Sequence, residues 1–194
     1  MVHPKWEIIM TTFEYLAVLV SVIVGLGITQ LLGGVARIVT HRTEYKLYWV
    51  HLLWTFNTFA GLIYWWWFQL WMDTVEEWTY PLYTFLILYS VLVYLECAII
   101  IPSDFPKDGG FREYFFSRRG WFFAVTIGYL LVDLVDTLMK DHELVLVAYL
   151  AGFALMGIAI ATKNARFHGF FAVLIAVETV VLMLSGFWIG TLAT

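Results

Sequence analysis

Residues 170–192 read FFAVLIAVETVVLMLSGFWIGTL, an apolar run broken near its middle by one carboxylate, Glu178. As a helix at ~1.5 Å per residue this run is about one bilayer core long. An ionised side chain at that depth costs roughly 2.5–3.5 kcal/mol on insertion scales. Its presence therefore asks for a reason, and the other polar groups within apolar runs become its candidate partners.

The whole chain has the same character. Of 194 residues, 62% are hydrophobic and only 13% charged, against about a quarter charged in a soluble domain. Ten Trp and eleven Tyr suit anchoring at membrane interfaces. A single cysteine, Cys97, leaves no intrachain disulfide and no cysteine-based zinc site. The net charge of −4 is scattered, with no basic stripe for nucleic acid. Six runs are long enough to cross, near 13–38, 48–71, 80–101, 121–139, 143–161 and 167–192. The first is too long for a signal-peptide core and is expected to stay as a span. The expectation is an all-α bundle of six transmembrane helices forming one domain, without a soluble domain.

Orientation follows from the basic residues. Arg37, Arg42, Lys46, Lys107, Arg112, Arg118, Arg119, Lys163 and Arg166 fall in the first, third and fifth loops; only Lys5 and Lys140 fall on the other side. That bias predicts those three loops to be cytoplasmic and both termini outside.

Several polar residues have local explanations. Thr11-x-x-Glu14 is a capping-box pattern opening the first span. Gly27, Gln30, Gly34 and Arg37 share one helical face, where glycines admit a second backbone and Gln30 can bond across the contact. Asn57, in the second span, is a further packing donor. The Tyr64–Trp71 stretch reads as an aromatic belt. FREYFFSRRGWFF, at 111–123, reads as an interfacial segment whose arginines meet anionic headgroups. Asp136 has Lys140 four residues on, in the favourable acid-first order.

Glu96, Asp133 and Glu178 are different, because no Lys or Arg lies deep in any span to pair with them. Tyr89, on the face of Glu96, offers a hydroxyl to a carboxyl. Two readings follow. Neutral acids can hold helices together with Gln30 and Asn57, or the acids can face a wet cavity and carry protons or bind a cation. The second is the stronger expectation: a proton- or cation-linked channel or transporter running along Glu178, Asp133, Glu96 and Asp136. The alternative is a non-transporting scaffold or subunit; a membrane redox or sensor protein is a further one. His51 and His168 both fall near the basic side and are the weak candidates for a haem or metal. No cofactor is otherwise expected, and no catalytic motif of the hydrolase, zincin, P-loop or Rossmann kind is present. The expected partners are the bilayer and a second copy or a membrane subunit.

GLGITQLLGG at 25–34, YWVHLLW at 48–54 and RRGWFF at 118–123 together resemble a group of small uncharacterised bacterial multi-pass integral membrane proteins. The resemblance implies a bacterial inner-membrane location and carries over no residue roles. A reporter fused after Thr194 tests the topology directly: periplasmic markers are expected to be active there and cytoplasmic ones silent. The reverse pattern would invert every assignment of side.

Overall fold

The computed structural model describes residues 11–69, 75, 77–102, 110–139 and 146–192. Among them there are six α-helices and no strand: α1 (Thr12–Thr40), α2 (Trp49–Phe68), α3 (Tyr80–Ile100), α4 (Gly110–Met139), α5 (Leu146–Ala161) and α6 (Ala165–Leu192). Four of them, α1, α3, α4 and α6, are long and apolar enough to cross a membrane. The other two are special cases. α5 has only 16 residues, and α2 has 20 but carries His51, Asn57 and a cluster of tryptophans.

α1, α3, α4 and α5 pack side by side in that order, while α2 pairs with α6 and leans on α3. The α1 seam is legible in its burial: Leu16, Val20, Val24, Gly27, Leu31, Gly34 and Ile38 are the buried positions. Their steps of three or four keep one stripe facing a neighbour. The capping box at its start is formed, with Thr11 N donating to Glu14 Oε2 at 2.7 Å and Glu14 N to Thr11 Oγ1 at 3.1 Å. Gly27 and Gly34 bring α3 close. A Cβ at Gly27 would sit 3.3 Å from Cys97 Sγ, and one at Gly34 would overlap the Ile101 side chain at 2.3 Å.

α4 departs from expectation. The sequence predicts an interfacial segment followed by a span from 121, but one continuous helix of 30 residues starts at Gly110. At ~1.5 Å per residue it is about 45 Å long, against a hydrocarbon core of about 30 Å. The reason is packing. Phe111 and Phe115 are buried to 0% and 2% exposure, one turn apart, and set against His51 and Tyr48. The segment thus turns an apolar stripe into the bundle instead of lying along a surface. Its first residue is Gly110, with φ +73°, where an added Cβ would come within 2.9 Å of the Lys46 carbonyl. Phe111 N donates to that same carbonyl at 3.1 Å. The aromatic belt is also only partial: Trp67 is exposed, but Trp65 is buried against Tyr89 with ring centroids 5.1 Å apart. Of the expected Asp136–Lys140 pair, Lys140 lies outside the described residues.

The close approach of α1 and α3 makes a measurable claim. Gly34→Ala is expected to destabilise the protein by about 1–3 kcal/mol, the usual scale of overpacking, seen as a lower melting midpoint in detergent. Adding Ile101→Ala should recover most of that loss. An undiminished midpoint in the single variant would show that the two helices are not held this close.

Candidate functional site

Each helix that meets at the bundle centre contributes one face. On α4, Phe122, Thr126, Tyr129, Leu130 and Asp133 recur at helical spacing; on α6, Ile175, Glu178, Thr179 and Leu182 do the same. α2 adds Trp54, Asn57, Thr58, Gly61, Leu62 and Tyr64, α3 adds Val93 and Glu96, and α5 adds Met156. Together they surround a cavity of about 290 Å³. Glu96, Asp133 and Glu178 therefore stand on three helices around one space.

Their surroundings differ. Asp133 is held by phenols on both sides. Tyr89 on α3 donates to Oδ1 and Tyr149 on α5 donates to Oδ2 at 2.8 Å, with Thr137 Oγ1 a further 2.8 Å from the Tyr149 hydroxyl. Both carboxyl oxygens thus act as acceptors in a fixed orientation. The Tyr129 ring lies 5.2 Å from that of Tyr89 and fills the wall between Asp133 and Glu96. Glu96 has the Thr126 hydroxyl beside it, yet its Oε1 is buried with no hydrogen-bond partner. Glu178 lines the cavity and is also exposed on the outer side of α6, which puts it at the rim. α6 touches α5 only sparsely there. Asp136, one turn beyond Asp133, does not line the cavity.

The polar residues expected to pack helices separate into two kinds. Asn57 Nδ2 donates to the Ala172 carbonyl of α6 at 2.9 Å, fully buried, so it ties α2 to α6. Its Oδ1 is left without a partner, and Asn57 is one of the residues lining the cavity. Gly27 and Gly34 form the α1–α3 contact, and Gln30 is half-buried beside them.

The histidines are helix caps. Both rings are fully buried. His51 Nε2 lies 2.7 Å from the Ile100 carbonyl at the end of α3, and His168 Nε2 lies 3.0 Å from the Thr162 carbonyl just past α5. A carbonyl only accepts, so each Nε2 carries the proton and is committed to a helix end. Aromatic rings pack around them, Phe111 and Tyr114 at His51 and four phenylalanines at His168. Each ring keeps its other nitrogen, Nδ1, buried without a hydrogen-bond partner. Among the described residues no group of three metal-ligating side chains occurs.

Sequence reasoning missed three things. Tyr89 shares a face with Glu96 but serves Asp133. Tyr149 carries no signal of its own in an apolar helix. Arg119 was expected at the lipid headgroups but turns inward, donating from Nε to Thr162 O at 3.1 Å and from Nη2 to Ile160 O at 3.3 Å. Thr126 and Tyr129 could have been found, since they stand seven and four residues before Asp133.

No family of known proteins, no curated protein and no solved structure matches the chain. The capping geometry generates its own test. His51→Ala strands a buried carbonyl and is expected to cost about 1–3 kcal/mol, the price of an unmet polar group. The purified protein should absorb only through Trp and Tyr. A visible band that disappears with His51 or His168 would reverse the structural assignment of both.

Proposed function

We propose that this chain is a small multi-pass inner-membrane channel or transporter, linked to protons or a cation, that crosses the bilayer six times with both ends outside. One observation carries the reading: carboxylates from three different helices line a single cavity inside the bundle. A packing role alone needs no cavity, because polar glue works by direct contact between helices. Intramembrane acids around a space are the usual furniture of ion and proton pathways.

The three acids suit successive tasks. Glu178 at the rim meets the arriving ion or proton. Glu96, with a buried and unpartnered oxygen, is the deep acceptor. Asp133 is pinned by two phenols, so it supplies a fixed field and a hydroxyl chain through Tyr149 and Thr137. Asp136 continues that line one turn nearer the end of α4.

A scaffold role is the alternative, favoured by the buried Asn57–Ala172 bond, which is helix glue in the plain sense. The two readings part at Glu178. Glu178→Gln keeps shape and hydrogen-bonding capacity but removes the titrating charge. In reconstituted vesicles under a pH or potential gradient, the wild-type protein should carry protons or monovalent cations. The variant should lose most of that flux while its melting midpoint in detergent stays within a few degrees. A wild-type protein silent across pH and voltage would leave the scaffold reading standing.

A further inference from the structure

The central cavity carries more information than its acids. Three of the residues that line it each hold one buried polar atom without a hydrogen-bond partner: Trp54 Nε1, Asn57 Oδ1 and Glu96 Oε1. Trp54 is 3% exposed and Asn57 4%, so bulk water does not serve them. An unmet buried polar group costs about 1–3 kcal/mol, and the two oxygens among these atoms call for an occupant that meets them together, while the Trp54 indole N–H, itself a donor, is left to its ring's apolar contacts.

The rest of the wall describes that occupant. It is mostly apolar and aromatic, with Trp54, Tyr64, Phe122 and Tyr129 around it. Such faces attract a cation through the ring quadrupole, most strongly when it is desolvated. Two of the orphan atoms, Asn57 Oδ1 and Glu96 Oε1, are acceptors, so the occupant must bring donors. A hydrated metal ion brings donors but gains nothing from an apolar wall. A neutral hydrocarbon fills the wall and leaves the acceptors unmet. An ammonium with N–H bonds presents up to three donors and one positive charge, and a short hydrocarbon body fits the remaining surface. At about 290 Å³ the space is at the small end of ligand pockets, enough for one small amine.

We infer that the cavity between α2, α3, α4 and α6 binds a protonated small amine, its ammonium held by Glu96 and Asn57 and its hydrocarbon body against Trp54, Phe122 and Tyr129. This assignment names a substrate class for the transport reading and rests on it for its biological sense. Glu178 at the rim draws the cation in, and the carboxylate of Asp133 balances its charge from the far wall.

The test is binding to the full-length protein in detergent, without any gradient. The probe is 2-phenylethylammonium, with 2-phenylethanol as a neutral analogue of nearly equal shape. Saturable quenching of tryptophan fluorescence is expected for the amine, with affinity at least tenfold higher than for the alcohol. Glu96→Gln should weaken the amine at least tenfold and leave the alcohol unchanged. Should that variant fail to fold, the comparison of amine with alcohol on the wild-type protein still decides. Equal affinities, or no saturable quenching by the amine, would overturn the inference and assign the orphan atoms to solvent. Proton flux without amine binding likewise removes the amine and leaves the proton pathway. Amine binding without flux upholds the site and removes transport.

Discussion

A helix end inside or beside a bilayer leaves its last carbonyls without water to serve them, and this bundle answers that constraint with side chains from other helices. The end of α3 is the clearest case. Ile99 O accepts from Tyr114 at 2.7 Å, Ile100 O accepts from His51, and Pro102 O accepts from Arg37 at 3.3 Å. Those three donors come from α4, α2 and α1. The end of α5 is served in the same way by Arg119 and His168, from α4 and α6. Every helix therefore either ends at this basic pole or supplies a cap to one that does. Backbone chemistry, more than hydrophobic contrast, fixes the bundle there, since lipid tails solvate an apolar side chain as well as a neighbouring helix can.

Such a tied pole leaves freedom elsewhere. Around the cavity the walls are side chains, and α6 and α5 are barely in touch. At the pole the helix-end carbonyls find donors, although His51 and His168 each keep a buried Nδ1 without a partner. Around the cavity, Asp133 is fully served by Tyr89 and Tyr149, while Glu96, Asn57 and Trp54 each keep one atom unserved. A protein can carry that deficit where an occupant meets it.

The helices were legible because long apolar runs report them directly, and so were the glycine seam of α1 and the three acids within apolar runs. Facing was legible too, in that Asp133, Tyr129 and Thr126 lie on one stripe. What the period does not report is which neighbour a stripe meets. Tyr89 and Asp133 are 44 residues apart, His51 and Ile100 are 49, and Arg119 and Thr162 are 43. Nothing in the local sequence ties those pairs. The same ignorance made Arg112, Arg118 and Arg119 look alike. Two of them are exposed, and the third is a cap whose role depends on α5 ending beside it. The start of α4 was misread for a related reason: alternating arginine and phenylalanine describes a helix at a surface equally well whether that surface is lipid or protein.

The bond from Asn57 to Ala172 also spans 115 residues of chain, and it sets an order of assembly. α2 is not among the four helices apolar enough to cross a membrane, and it carries His51 and Asn57 on its buried side. When it leaves the ribosome, the carbonyl that will receive Asn57 has not been made. Its cap on α3 becomes available sooner, because α3 is the next helix synthesised. Closure of the cavity therefore waits for α6, which supplies both the missing acceptor and Glu178. A chain truncated before α6 would retain its capped α3 and have no enclosed site.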